Sequence, residues 1–452
     1  MSESAAEAGS AVGSAMGSAM GSVIDELRAQ PMRSMQLIVM ALCITLNLLD
    51  GLDVLAMAFT APAVAGAWAL RPDQVGLLLS AGLAGMGLGA LVLSPVADVI
   101  GRKPTIILSL CLVTAGMFGA AASEGLGQLL ASRFLTGVGI GGMISSVSAT
   151  LIEYASVTAR GFVVGLMAVS FPAGAVIGGA LSIILVRDHG WQAVFVAGGL
   201  LTMAAIPVVW LVIPESIDFL MARRPPSALA RINRVLARLG LAALATLPPL
   251  PSVLPPSLEL RQFFRPPLAR QLVHVGAIML LTMLSFYFIL NWAPKLLIDG
   301  GLSANTGISV GMLMNLGGML GGVVVGVMLR YLPLRYVLPT VLACMAIGIA
   351  CYGALSQYAV LVAGVAFVLG FLMFGAQVVI YTLMLTSFPA GVRATCIGIS
   401  STVGRVGSVL GPYLGGVLLA GGGTVPVICV ILAAPALLSA LLALKGARFT
   451  PA

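Results

Sequence analysis

The chain has 452 residues, of which 60% are hydrophobic and 8% are charged, whereas about 25% of the residues in an ordinary soluble domain are charged. This composition excludes a water-soluble globular protein. The 55 glycines and 22 methionines are typical of membrane helices that pack on small residues. The net charge of +8 does not indicate a nucleic-acid partner, because most basic residues lie singly or in pairs between apolar segments.

The sequence offers no metal or cofactor site and no catalytic motif. Its six cysteines lie in apolar segments without CxxC spacing, so neither a disulfide framework nor a zinc site is indicated. GVGIGG (Gly137–Gly142) fits the dinucleotide-binding pattern, but it lies inside an apolar segment with no strand before it. Because HExxH is missing and the chain has only two histidines, His189 and His274, we do not expect an enzyme.

Twelve apolar segments are long enough to cross a bilayer, which takes about 20 apolar residues. Residues 1–34 come before them; they are rich in Ser, Ala and Gly and predict a disordered cytoplasmic tail rather than a cleavable signal. The predicted spans are 36–65, 74–97, 105–122, 126–150, 161–186, 191–213, 269–297, 304–329, 336–356, 359–385, 394–420 and 424–444.

The basic residues fix the expected orientation of these spans. If both termini lie inside, 18 of the 23 Lys and Arg residues fall on the inner side and three on the outer side, and two lie within spans. This bias follows the positive-inside rule. We therefore expect both termini in the cytoplasm. The expected location is the plasma (bacterial inner) membrane, and the expected oligomeric state is a monomer.

A proline-rich cytoplasmic linker, residues 214–267, separates a first bundle of six helices (35–213) from a second (268–445), and a short tail (446–452) follows. Within the linker, Ser227–Gly240 has an apolar face and an arginine face, which predicts a helix lying either on the inner membrane surface or against the protein itself.

An offset of 232 residues aligns Pro62 with Pro294 and Gly85 with Gly317, so the two bundles read as weak repeats. Parallel repeats of this kind predict a binding site between the bundles near mid-membrane.

Four charged residues fall within spans: Asp50, Asp53, Arg133 and Arg405. A charge in the hydrocarbon costs about 2.5–3.5 kcal/mol, so one that persists there normally lines a cavity. Asp50 and Asp53 lie three residues apart on one helix face, and two close carboxylates do not both ionise cheaply. This pattern is suited to proton transfer, although a static pair with Arg133 is the alternative.

Arg405 presents a permanently charged fork that matches a carboxylate, which predicts an anionic substrate. The alternative is a structural arginine bonded to carbonyl groups. In the seventh span, the positions equivalent to the two aspartates and those one helical turn further on include Ser285, Phe286 and Trp292, a face that would hold a planar ring. For the two aromatic residues the alternative is an interfacial belt or core packing. Gln377 and Tyr381 of the tenth span are candidates for polar contacts to the substrate.

SPVADVIGRK (Ser94–Lys103) resembles the signature loop of the major facilitator superfamily, usually GxLaDRxGRR, and RFLTGVGIGG (from Arg133) is similar to its fourth-span motif. Residues 36–444 look like the aromatic acid:proton symporter branch of that superfamily. The motifs that carry this likeness are DGLD, IEYA, HGWQAVFVAGGLL, PESIDFL, FILNWAPKLL and VRATCIGISSTVGRVGSVLGP.

The resemblance implies a fold of two pseudo-symmetric six-helix bundles, proton coupling by Asp50 and Asp53, and transport or binding roles for Arg133 and Arg405. It also implies an inner gate, to which we assign Asp98, Arg102, Lys103, Glu153 and Arg393. We expect Asp98 to approach the start of the eleventh span, where Arg393 and unpaired N–H groups favour a carboxylate. The second motif copy has Arg330 where an aspartate would be expected. Arg330 beside Arg160 should repel rather than hold the gate shut unless Glu153 intervenes, so we expect an asymmetric gate.

The expected function is proton-coupled import of an aromatic carboxylate of the benzoate or hydroxybenzoate type by alternating access, with a small aromatic acid, protons and the lipid bilayer as partners. Two alternatives remain: a proton-coupled antiporter that exports organic anions or drugs, and a transporter-like chemoeffector sensor. The GPYLGG pattern that exporters tend to carry in the fifth span lies here in the eleventh, which disfavours the first alternative.

Overall fold

A computed structural model describes residues 32–156, 159–239, 241–247, 266–389 and 392–446. Most of the predicted N-terminal tail, the proline-rich part of the linker and the C-terminal tail from residue 447 onward lie outside these residues, as does the side chain of Arg160.

The described residues form fourteen helices, and twelve of them are long and apolar enough to cross a membrane. In chain order the helices are α1 (Ser34–Trp68), α2 (Pro72–Ile100), α3 (Arg102–Ala121), α4 (Leu126–Tyr154), α5 (Arg160–His189), α6 (Gln192–Val212), α7 (Ile217–Arg223), α8 (Ala228–Arg238), α9 (Leu268–Asp299), α10 (Ala304–Met328), α11 (Leu334–Ala354), α12 (Ala359–Ser387), α13 (Arg393–Ala420) and α14 (Val425–Gly446).

All twelve predicted spans are confirmed as helices, but most helices run past the predicted limits. The helix α1, for example, covers Ser34–Trp68 where the sequence predicts 36–65. Hydropathy marks the segment that lipid surrounds, whereas the backbone hydrogen-bond ladder continues beyond it to the first break. Pro62 and Pro294, aligned by the repeat, both lie inside long helices.

The two bundles pack their helices in the same pairs. In the first bundle α2 packs on α4, α3 on α4 and α6, and α1 on α5. In the second bundle the equivalent pairs are α10 with α12, α11 with α12 and α14, and α9 with α13. The internal repeat is therefore present in the architecture.

Equivalent glycines bring equivalent helices together. In both bundles a methyl group on the glycine would collide with a backbone carbonyl oxygen of the partner helix, so only hydrogen fits. These pairs are Gly85 with Phe134 and Gly89 with Val138 in the first bundle, and Gly317 with Phe367 and Gly321 with Phe371 in the second.

We call the end of the molecule that carries Arg102, Arg335 and Arg393 the basic end, and the other the opposite end. The bundles meet through α2 with α13, α5 with α10 and α1 with α9. At the opposite end Ser80 Oγ donates to the Val409 carbonyl at 2.8 Å, and Gly76 packs on Gly416.

At the basic end, Val99 and Ile100 of α2 are 63% and 44% exposed. The hydrogen bond and the glycine contact between the bundles therefore close the opposite end.

The short helix α8 lies against the protein. Its residues Ile232 and Leu236, with the adjoining Leu239, are at most 1% exposed and join a core cluster with the basic ends of α1, α4 and α6. Of the two placements that the sequence allowed, the structure has the docked one. Ser227 precedes α8, but its side chain makes no capping bond, and Gly240 lies outside the described residues.

Adjacent glycines in α10 provide a test of this packing. In Gly321→Ala the new methyl group meets the Phe371 carbonyl, whereas in Gly322→Ala it meets nothing within 4 Å. We expect Gly321→Ala to destabilise the protein by about 1–3 kcal/mol, as overpacking does. Gly322→Ala should not lower the stability of the protein, because Ala is a better helix former than Gly. Thermal unfolding of the two variants in detergent measures the difference, and equal midpoints would contradict the close approach.

Candidate functional site

The four charged residues predicted within spans lie in three helices: the two aspartates near the middle of α1, Arg405 near the middle of α13, and Arg133 in the first third of α4. Asp50 and Asp53 are each 1% exposed and Arg133 is 3% exposed, while Arg405 is half-buried. No group of three or more His, Cys, Asp and Glu residues that would hold a metal ion occurs in the described ranges.

Arg133 is held by weak and neutral partners. Its Nη2 donates to the backbone carbonyl of Asp53 at 3.0 Å, its Nη1 lies 3.6 Å from Met117 Sδ, and its guanidinium stacks 5.6 Å from the Phe195 ring centre. Among the ion pairs of the described residues, none joins Arg133 to the Asp53 carboxylate. The static ion pair, the alternative to a proton site, is not formed in this conformation.

Several polar atoms of this group have no hydrogen-bond partner within the part of the chain that is described. They are both carboxylate oxygens of Asp50, Oδ1 of Asp53 and Nε of Arg133. An ionised carboxylate without donors is strongly unfavourable in an apolar interior. Binding a proton removes that cost, so this surrounding is suited to a group that is protonated in one conformation and released in another.

The two aspartates do not occupy the same place. Asp53 points into the first bundle, where its Oδ1 would lie 3.1 Å from a methyl group on Gly198 of α6. Asp50 lies within electrostatic range of both Asp53 and Arg405. The charges therefore follow one another as Arg133, Asp53, Asp50 and Arg405.

Arg405 reaches across the bundle interface. Its Cδ would lie 3.9 Å from a methyl group on Gly87 of α2. The hydroxyl of Tyr287 on α9 lies within electrostatic range of Arg405, Asp50 and Tyr381. These side chains, from α1, α9, α12 and α13, mark a place around Tyr287 at the bundle interface.

Aromatic rings from both bundles lie beside this place. Phe286 of α9 packs edge-to-face on Phe374 of α12, with ring centres 5.4 Å apart. Phe374 also lies 6.5 Å from Phe171 of α5 in the first bundle. Phe286, which the sequence predicted, is only 2% exposed and stands behind Phe374 and Tyr287.

Two predicted substrate contacts need correction. Trp292 is fully buried, and its Nε1 donates to the Pro412 carbonyl at 2.8 Å. Ser285 is also fully buried; its Oγ donates to the Leu432 carbonyl at 2.7 Å and accepts from the Ala436 N–H. Both side chains are bound within the second bundle, where they hold α9 against α13 and α14.

The face of α9 predicted from the sequence is not the face that lies towards the first bundle. The residues that face the first bundle and α12 are Met283, Tyr287 and Asn291, spaced four apart. Asn291 and Arg133 line the same small cavity of about 10 Å³, room for one water molecule, between α1, α2, α4 and α9, and Met283 contacts Gln377. Phe171 was also missed. The four-residue spacing of Met283, Tyr287 and Asn291 was the signal that identifies this face.

The predicted gate residues form two separate groups. Arg102 pairs with Glu153, and Glu153 also accepts a hydrogen bond from Ser216 Oγ at 2.8 Å. The Arg102 N–H donates to Glu215 Oε1 at 2.9 Å, and Lys103 Nζ donates to the Trp210 carbonyl. These contacts join α3, α4 and the start of α7 within the first bundle. Glu153 is thus bound within the first bundle, and the predicted repulsion between Arg330 and Arg160 stays a prediction, since the Arg160 side chain lies outside the described residues.

Asp98 and Arg393, expected to meet, are apart in this conformation. The Asp98 side chain is exposed and has no ion pair with any described residue, while its backbone carbonyl accepts from Arg223 Nε at 2.8 Å. Arg393 Nε donates to the Phe388 carbonyl at 3.1 Å. Both side chains lie at the basic end.

Comparison with solved structures supports this architecture. A D-xylose-proton symporter has a TM-score of 0.70 at 16% identity, with 92% of this chain and 98% of that chain covered. The inward-open xylose transporter XylE from E. coli has a TM-score of 0.69 at 16% identity, with 92% and 96% covered. At this identity the likeness establishes the fold alone.

Sequence relatives are more similar. A gallate transporter from Pseudomonas putida is 33% identical, with 95% of this chain and 97% of the relative covered. A 4-hydroxybenzoate transporter from Pseudomonas aeruginosa is 31% identical, with 93% and 94% covered. Residues 43–412 match the Major Facilitator Superfamily. The chain belongs to the Major Facilitator Superfamily and is an integral membrane transporter, not an enzyme.

Proposed function

We propose that this transporter imports an aromatic carboxylate together with a proton by alternating access. The observation that carries the proposal is the row of four charges, from Arg133 in the first bundle to Arg405 in the second, in which neither arginine has a carboxylate ion-pair partner among the described residues. The relatives named gallate transporter and 4-hydroxybenzoate transporter support the substrate class.

We further propose that the basic end faces the cytoplasm of a bacterium, that the bilayer is its inner membrane, and that the protein acts as a monomer. Both described chain ends, at Met32 and Gly446, lie at the basic end. An excess of Lys and Arg marks the cytoplasmic side of membrane proteins. The conformation described above is then inward-facing.

Substrate binding uses the second bundle. The guanidinium of Arg405 forms paired hydrogen bonds with the substrate carboxylate, as its planar fork allows. The ring lies against Phe374, which Phe286 and Phe171 hold from either side. Aromatic side chains prefer such edge-to-face contacts.

Proton binding uses the first bundle. When the opposite end is open, water reaches Asp50 and Asp53, and one of them takes a proton as the anion binds to Arg405. The occupied site then carries less net charge, so closing it away from water costs less free energy. At the basic end the anion leaves first, and the positive charge of Arg405 then favours loss of the proton from the aspartate pair.

The basic end closes when Asp98 of α2 reaches the start of α13. There the unpaired N–H groups of the first helical turn and the Arg393 guanidinium both stabilise a carboxylate. In the inward-facing conformation this contact is open, which leaves the Asp98 side chain exposed.

Replacing Arg405 tests the substrate site. Loss of a buried charged partner typically costs 2–5 kcal/mol, so we expect Arg405→Gln to weaken 4-hydroxybenzoate binding by at least about 30-fold. Arg405→Lys keeps the positive charge but loses the planar guanidinium that forms paired hydrogen bonds, so its affinity should be intermediate. Isothermal titration of purified protein measures both variants. Arg335→Gln, at an exposed arginine stacked on Tyr336, is the control; unchanged affinity in Arg405→Gln would refute the assignment.

Replacing Asp53 tests proton coupling. In proteoliposomes with an inward proton gradient, wild-type protein should accumulate substrate, and an uncoupler should abolish this. Asp53→Asn removes the titrating group, so accumulation should fall to the level of empty vesicles while exchange of internal for external substrate persists. Asp299→Asn, in an exposed pair with Lys295, should behave like wild type. Gradient-driven accumulation by Asp53→Asn would exclude Asp53 as the coupling group.

Charge reversal at Asp98 tests the gate. Asp98→Lys should repel Arg393 and disfavour closure of the basic end, so the rate of uptake should fall several-fold. Substrate affinity in detergent should not change, because the side chain is far along α2 from the binding site. Glu124→Lys, an exposed charge reversal at the opposite end, serves as the control. An unaltered uptake rate in Asp98→Lys would exclude the contact.

A further inference from the structure

We propose that Gln377 of α12 accepts a hydrogen bond from a ring hydroxyl of the substrate, and that it makes the site selective for hydroxylated aromatic acids over the unsubstituted acid. This inference rests on the proposed function and specifies the substrate class of the same site.

The orientation of the Gln377 amide follows from its neighbour. The amide Nε2 lies 3.5 Å from Sδ of Met283 on α9. A thioether sulfur accepts hydrogen bonds weakly and donates none, so the amide nitrogen faces the sulfur and the carbonyl oxygen faces away. Met283 thus holds the donor end of Gln377 and leaves its acceptor end free.

The acceptor end has no partner. Gln377 Oε1 is buried and makes no hydrogen bond to any described residue. Leaving such an acceptor unpaired costs about 1–3 kcal/mol, and a ligand that brings an O–H or N–H group removes that cost. A carboxylate has only acceptor atoms and does not. The substrate carboxylate therefore has its partner at Arg405, and Gln377 requires a different group.

Gln377 also stands beside the rings that hold the substrate. It lies three residues, about one helical turn, from Phe374, which contacts Phe286 and Phe171 at 5.4 and 6.5 Å. Met283 lies one helical turn from Tyr287, and the Tyr287 hydroxyl is within electrostatic range of Arg405. A substrate with its carboxylate at Arg405 and its ring at Phe374 brings a ring substituent to Gln377. On an aromatic acid the substituent with a proton to donate is a hydroxyl group.

The test compares three acids, benzoate, 4-hydroxybenzoate and 3,4,5-trihydroxybenzoate, by isothermal titration of the purified full chain. Wild type should bind at least one hydroxylated acid about tenfold more tightly than benzoate, since a site built for a hydroxyl group discriminates against the analogue that lacks it. Gln377→Met keeps the length of the side chain but has no carbonyl. It should lose about tenfold in affinity for the hydroxylated acid and change benzoate affinity less than about twofold.

Two further variants separate this role from a structural one. Thr382→Val removes a hydroxyl from the same helix whose hydrogen bond stays within α12, to the Val378 carbonyl at 2.9 Å, and should leave all three affinities unchanged. Gln377→Glu keeps an acceptor oxygen. Its negative charge should weaken the binding of all three acids, but the ratio of the affinity for the hydroxylated acid to that for benzoate should persist.

Each outcome is decisive. The role of Gln377 would be overturned if wild type showed no preference for a hydroxylated acid, or if Gln377→Met kept that preference. It would also be overturned if Gln377→Met lost affinity equally for all three acids, or if Gln377→Glu lost the affinity ratio of hydroxylated acid to benzoate. If wild type binds none of the three acids, the proposed function itself fails, which is a different result.

Discussion

Four charged side chains in the apolar middle of the molecule, with no ion pair between them, constrain the rest of the structure. Arg133 is tolerated because a backbone carbonyl, a sulfur and an aromatic ring surround it, and Arg405 because it is half-buried beside a cleft. The aspartates have no such partners. Their free energy depends on whether water or a proton reaches them, so any motion that changes access to them also changes the stability of the conformation. This dependence links the proton to the helix movement.

Close helix packing makes room for these charges. In each bundle glycines let one helix backbone touch the next, at equivalent positions of the repeat. The helix that carries Arg405 follows the same rule, since Gly407 lies against the Leu280 carbonyl and Gly404 against Met279. One face of α13 is thus fixed to α9 while Arg405 projects from another. Rigid bundles of this kind move as units, and only the contacts between them need to break.

The spans, the repeat and the intramembrane charges were readable from the sequence because each is a local pattern of apolar or charged residues. The face of α9 was not. The repeat correctly makes Ser285 the counterpart of Asp53, but Asp53 itself points into its own bundle, and so does Ser285. Helical periodicity gives the spacing of a face and not the direction in which it points. The pairing of Arg102 with Glu153 was equally hidden, because it depends on where α7 docks, some sixty residues further along the chain.

Glycine packing and one serine-to-carbonyl hydrogen bond close the opposite end, whereas the proposed closure of the basic end brings a carboxylate to a guanidinium. Dissolved ions screen attraction between exposed charges, with a Debye length near 10 Å at 0.1 M, and leave contacts between neutral groups almost untouched. On that proposal, raising the ionic strength favours the form in which the basic end is open. The two halves of the transport cycle then differ in their sensitivity to salt on that side of the membrane.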